Sequence, residues 1–178
     1  MNQNIIIEKL QLMLSQYIIS ESVGAILQLI IDRNWTSVNY AKTLEEYHIR
    51  ANSVDFKKDS LRVALQYAHM CLEDDALSQE EIDGMTLLKR LLMIHEGDFY
   101  KYGFEEEVKA LIMRQLNWMY NDGEIDEQEA LHKVELQGLF NLSYNEFDDI
   151  VHEIARECVE KGAGISKLDT NLFIPREL

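Results

Sequence analysis

The chain has a single proline, Pro175, three residues from its C-terminal end, and only eight glycines among 178 residues. Proline ends helices by removing an amide donor and glycine weakens them through its backbone freedom, so this scarcity leaves long stretches able to stay helical. With 47% apolar and 28% charged residues the composition is that of a folded globular chain, and the length suits one domain with a proper core. An all-α fold is expected. Cysteine is equally sparse. Cys71 and Cys158 lie far apart, form no CxxC pair and sit among apolar residues, which excludes a disulfide framework and reads as two buried cytosolic thiols. No run approaches the roughly 18 apolar residues of a membrane span, and the N-terminus lacks the basic, apolar and small-residue succession of a signal peptide. A cytoplasmic protein without direct membrane insertion follows as the expectation.

Positive charge is also short. Against 32 Asp and Glu there are 17 Lys and Arg, a net charge of −15. The deficit is local, because residues 73–129 hold 16 acidic against five basic residues, a net charge of −11. Such a belt repels phosphate backbones and speaks against nucleic-acid binding; its natural counterparts are cations or a protein partner with a basic surface. A solvated acidic face that serves only solubility is the competing account. Catalytic signatures are missing too. There is no Gly-rich phosphate loop, nucleophile elbow or HExxH, and His69 and Cys71, two residues apart, point to different faces of a helix. A non-enzyme is expected, with an enzyme using an unrecognised carboxylate site as the distant alternative.

What the chain has in abundance is helical periodicity. Ile6, Leu10, Met13, Leu14 and Tyr17 recur at spacings of three and four, the mark of a helix with one apolar stripe. Ser20 or Ser22 can cap a second helix through Val23, Ile26, Leu27 and Ile30, and Thr36 a third. The polar segment 51–60 reads as a loop, with Asp59 or Ser60 as the next cap. From Leu61 a helix runs to Leu72, and Ser78 with Glu81 forms a capping box that opens the next one. The aromatic stretch 96–103 reads as a loop. A helix over 104–120 follows, then one through Val134, Leu136, Leu139 and Phe140, and a last one opened by Ser143 and Glu146 and stopped by Gly162. The total is about seven to eight helices.

One stretch organises this pattern. Asn121-Asp122-Gly123-Glu124-Ile125-Asp126-Glu127-Gln128-Glu129 joins two helical segments, and 48 residues earlier stands Glu73-Asp74-Asp75-Ala76-Leu77-Ser78-Gln79-Glu80-Glu81. The shift pairs Asp74 with Asp122, Leu77 with Ile125, Ser78 with Asp126 and Glu81 with Glu129, with apolar positions matching on both sides. The chain therefore reads as an internally duplicated helical protein with two acidic turns. Each turn matches only the second half of an EF-hand loop. Trp118 and Tyr120, and in the first copy Met70 and Leu72, occupy positions where that loop needs carboxylates, so a standard EF-hand is excluded.

The junction Asp122-Gly123-x-Ile125-Asp126-x-x-Glu129, the apolar helix to Phe140 and the Leu142-Ser143-x-x-Glu146 helix start resemble the tellurite-resistance TerB-like family over about residues 57–162. The resemblance implies a TerB-like helical bundle with an internal pseudo-twofold repeat at 57–162, an added N-terminal helical layer at 1–56 and a C-terminal tail at 163–178. It also implies divalent-cation binding by Asp74, Glu81, Asp122, Asp126 and Glu129, and a place in stress-response assemblies. An all-oxygen set of this kind favours calcium, magnesium or manganese. One departure stands out: Asp75 replaces the expected glycine in the first turn. No His-Pro-Asp triplet is present, so no J domain is expected in this chain. The competing reading is purely structural. Glu81 and Glu129 as capping-box partners, and Asp74 and Asp122 near helix N-termini, would each stabilise by ~0.3–1 kcal/mol without a metal. Function is expected in one of three forms: a partner-binding stress-response module, with or without a cation; an acidic inhibitor of the immunity type that masks a basic toxin or nuclease; or, as the second alternative, an enzyme with an unrecognised carboxylate site.

Overall fold

The computed structural model describes residues 4–73, 77–119 and 127–160. Among the described residues there are nine helices and no strand, so the chain is all-α. No helix among them is long and apolar enough to cross a membrane. The chain divides into two compact units, Met1–Phe104 and Glu105–Leu178.

The first unit holds α1 (Asn4–Gln16), α2 (Glu21–Ile31), α3 (Ser37–Glu46), α4 (Val54–Cys71), α5 (Gln79–Leu91) and the short α6 (Asp98–Lys101). Helix α1 packs on α2, α4 and α5, α2 also packs on α3 and α4, and α4 packs on α5. The seam is made by residues three and four apart: Leu10 and Met13 of α1, Ile26 and Ile30 of α2, Leu61, Ala64 and Ala68 of α4, Met85 and Leu88 of α5, all buried. Burying each large apolar side chain contributes about 1.5–3 kcal/mol, which fixes these faces inward. Thr36 caps α3 as expected, its side chain accepting from the Asn39 amide at 3.3 Å. Ser20 occupies the N-cap of α2 without a side-chain capping bond.

Two stretches differ from the sequence expectation. Segment 51–60 is not a loop to its end: α4 begins at Val54, with Ser53 at its N-cap. Lys57 and Ser60, which make the stretch look polar, are 3% and 0% exposed and lie on the inward face with Phe56 and Leu61. The buried ammonium of Lys57 is neutralised by Asp98, 2.7 Å away in α6, a partner too distant in sequence for apolar periodicity to register. The aromatic stretch 96–103 contains the short helix α6, which takes the number of helices among the described residues beyond the expected seven to eight. Gly97, at φ 75°, turns the chain into it, and Phe99 points into the core.

The shortage of glycine is met in an unusual way at helix ends. Arg33, His48, Met93 and Asn141 all take left-handed backbone, with φ between 48° and 56°. After α5, the Met93 amide bonds the Arg90 carbonyl and the Ile94 amide bonds the Lys89 carbonyl; the same pair of bonds closes α2, α3 and the helix before Asn141. This is the Schellman closure, which normally takes glycine. A side chain at such a position costs roughly 1–2 kcal/mol, and burial of the following residue, Ile94 or Leu142, offsets it.

The second unit holds α7 (Glu105–Met119), α8 (Glu127–Leu139) and α9 (Tyr144–Glu160), with α8 and α9 both packed on α7. Val108, Ile112 and Leu116 of α7 are buried, as are Leu136 and Leu139 of α8 and Phe147, Ile150 and Val151 of α9. Ser143 and Glu146 form the expected reciprocal cap at the start of α9, with bonds of 2.7 and 3.3 Å. Gly162 and the tail 163–178 lie outside the described residues.

Local structure in the two units coincides at an offset of 48 residues. Helices α5 and α8 each have 13 residues, with both ends 48 apart, and α4 and α7 end 48 apart. The bonds of the closing turn after α5, Leu92 to Leu88, Met93 to Arg90 and Ile94 to Lys89, reappear after α8 as Phe140 to Leu136, Asn141 to Gly138 and Leu142 to Gln137. Tyr67 and Gln115, also 48 residues apart, are both fully buried. Tyr67 faces Gly84 in the first unit, and the Gln115 side-chain oxygen lies 3.2 Å from His132 Nε2 in the second. Positions 84 and 132 are again 48 apart, so a large residue facing glycine in one unit answers to a smaller one facing histidine in the other.

Candidate functional site

The described part of the first acidic turn is built on Glu81. Ser78 stands at the N-cap of α5 in extended backbone, and its Oγ accepts from the Glu81 amide at 3.3 Å. In return, Glu81 Oε2 accepts from the Ser78 amide at 3.0 Å and from the Ser78 hydroxyl at 2.8 Å. The expected capping box is thus present. Its carboxylate does more than cap. Oε1 lies 3.2 Å from Nζ of Lys9, and the same ammonium donates to the Met70 carbonyl at 2.8 Å. One ion pair, 19% and 9% exposed at its two side chains, therefore connects α1, the end of α4 and the start of α5. Its polarity suits both helix ends, a cation at the α4 carbonyls and an anion at the α5 amides.

Beneath this pair the packing is close. Tyr67, fully buried, donates from its hydroxyl to the Glu81 carbonyl at 3.4 Å. A Cβ on Gly84 would lie 2.2 Å from that hydroxyl oxygen, so this mid-helix glycine is imposed by contact. Cys71 is buried beside them as expected. Burial first, and then the charge of Glu81, pushes its thiol up to about 12, so the free thiol stays protonated near neutral pH. Burial also raises the Tyr67 phenol far above its ordinary range. The side chain of Cys158 lies outside the described residues.

A second polar cluster joins α4 to α6. The Lys57 ammonium donates to Asp98 Oδ2 at 2.7 Å, to the Met93 carbonyl and to His95 Nδ1 at 3.3 Å. The Asp98 carboxylate also accepts from the His95 amide at 2.9 Å. Burial alone would raise the Asp98 carboxyl, but the bonds from Lys57 and the His95 amide outweigh it and hold the group below its ordinary range. This cluster fixes the turn between α5 and α6. A cavity of about 190 Å³ opens where the starts of α2 and α4 meet, lined among others by Ser20, His48, Arg50, Ser53 and Asp59; its mixed charges select no ligand.

Of the five candidate metal ligands, the structure describes the side chain of Glu81 alone. Asp74, Asp122 and Asp126 lie outside the described residues, as do Asp75 and Gly123. Glu129 stands in the first turn of α8, its side chain likewise outside them. Glu81 is brought together with Ser78 and Lys9. Among the described residues, no group of three or more His, Cys, Asp or Glu is placed to hold a metal ion. The residues that sequence reasoning missed are Lys9, Tyr67, Gly84, Lys57 and Asp98. Gly84 carried a readable signal, since glycine inside a helix costs about 1 kcal/mol against alanine and usually marks a close approach.

Set against protein-family models, curated proteins and solved structures, the chain matches none.

Proposed function

We propose that this chain is a non-enzymatic acidic helical module, made of two copies of a helix, acidic turn and helix unit, that binds a protein partner with a basic surface. The observation that carries this reading is the net charge of −11 over residues 73–129: complementary charge steers a basic partner toward such a region and rejects acidic ones. The shared offset of 48 residues in helix ends, closing turns and buried positions supports the duplication. The resemblance to TerB-like stress-response modules rests on the residues of the second turn.

A divalent cation belongs, in this reading, to the second turn. Both oxygens of Glu81 are already engaged by Ser78 and Lys9, which supports a capping role for the first turn. Asp122, Asp126 and Glu129 then supply oxygen ligands suited to calcium, magnesium or manganese. Calorimetric titration of the metal-stripped protein with each of the three ions tests this. Binding tighter than about millimolar, lost in Asp122→Asn and Glu129→Gln with folding intact, is the expected result. Silence with all three ions removes the cation and leaves an acidic inhibitor that masks a basic partner surface.

A further inference from the structure

At the 48-residue offset, the outward positions Asp83, Thr86 and Arg90 of α5 correspond to Leu131, Val134 and Gly138 of α8. All three exchanges remove polarity. The spacing, i, i+3 and i+7, places the three on one helix face, and it is not the face by which α8 buries Leu136 and Leu139. Leu131 is 59% and Val134 64% exposed. A Cβ on Gly138 would meet nothing within 4 Å, so the backbone there is open to close approach. Single exposed apolar residues need no explanation, but three polar residues exchanged together on one face, while the buried Leu88, Leu91 and Leu92 remain apolar as Leu136, Leu139 and Phe140, have a direction.

The charge around this face selects its occupant. Helix α8 itself holds three carboxylates, Glu127, Glu129 and Glu135, against Lys133. Glu127 precedes Leu131 by one turn and Glu135 follows it by one. A second copy of this chain, itself at −15, would bring like charges together along that border. An amphipathic helix with an apolar stripe edged by Lys or Arg satisfies both stripe and border. We propose that the outer face of α8 is the docking surface for a basic amphipathic helix of a partner protein. This rests on the reading above that the partner is basic.

The test uses the full chain and a synthetic 18-residue peptide of leucine and lysine, its leucines spaced to form one helical face. The control peptide has the same composition with the leucines scattered around the helix. Variant L131D/V134T/G138R carries the residues of α5 and leaves the net charge unchanged, so a general attraction between acid and base is constant. The wild type is expected to bind the patterned peptide at least ten-fold more tightly than the control, and the variant to bind both alike. Should the variant melt early, methyl NMR shifts of Leu131 and Val134 in the wild type on adding the patterned peptide give the same answer. Equal binding of both peptides by both proteins overturns the docking surface and leaves the acidic-surface reading standing. Binding of neither peptide at low salt overturns both. A wild-type dimer that the variant splits in sedimentation would put a second copy on this face and overturn the proposed occupant.

Discussion

Replacing Gly84 by alanine isolates the contact beneath the first acidic turn. At an open helical position the change would stabilise by about 1 kcal/mol, because alanine restricts the unfolded chain and favours the helix. Here the new methyl would lie 2.2 Å from the Tyr67 hydroxyl oxygen, 3.1 Å from the ring carbon that bears it and 3.2 Å from Cβ of Ile6. Overpacking of this kind costs about 1–3 kcal/mol. Pushing the phenol aside also breaks its bond to the Glu81 carbonyl and leaves a buried hydroxyl unpaired, a further ~1–3 kcal/mol. Against the gain in propensity, a net loss of about 1–5 kcal/mol is expected. Tyr67→Phe removes the atom at 2.2 Å, so the alanine penalty should shrink by about 1 kcal/mol or more in that background, a coupling that only touching residues show. Urea unfolding of the four proteins, followed by the fluorescence of Trp35 with Trp118→Phe as common background, reads the first unit by itself. If Gly84→Ala raises the unfolding midpoint, or lowers it equally with and without the Tyr67 hydroxyl, the close-approach argument fails.

Two further outcomes concern pH and buried charge. Asp98 is held below its ordinary range by burial-resisting bonds from Lys57 and the His95 amide, so its contribution is fully present above the unfolded carboxyl value of ~3.9 and is lost as pH falls through its lower folded value; Asp98→Asn should flatten the acid limb of a stability curve and lower stability at pH 7 by about 3 kcal/mol, since it leaves Lys57 buried without a counter-charge. Lys89, buried in α5, is lowered by that burial from 10.5 to about 8, so the folded state holds fewer protons than the unfolded and stability should rise with pH between those values. Lys89→Met is accordingly expected to stabilise at pH 7 by about 1–3 kcal/mol, with the difference closing toward pH 10 in thermal melts.

The all-helical class was legible because scarcity of breakers and spacings of three and four are local properties. The caps at Thr36, Ser78 and Ser143 were legible for the same reason: cap and partner lie within three residues of each other. The start of α4 was hidden because Lys57 reads as solvent-facing until its partner, 41 residues on, is known. The left-handed closures at Arg33, His48 and Met93 were hidden because turns are read from glycine, and here the closure is carried by backbone bonds and a following apolar residue. At the acidic turns, the sequence displayed carboxylates but not the base that Glu81 meets. Lys9 stands 72 positions earlier, on a helix with no visible link to the turn.

That ion pair bears on how the protein can be cut. A fragment beginning at residue 57 would retain Ser78 and Glu81 yet lose Lys9, leaving the carboxylate against the carbonyl end of α4, where only repulsion remains on that side. It would also strip α1 and α2 from the apolar faces of α4 and α5. A cut between Phe104 and Glu105 separates no such pair within the first unit and falls where the two compact units divide. The N-terminal helices are therefore part of the electrostatic closure at the start of α5, and a cut at residue 57 would sever what a cut after Phe104 keeps whole.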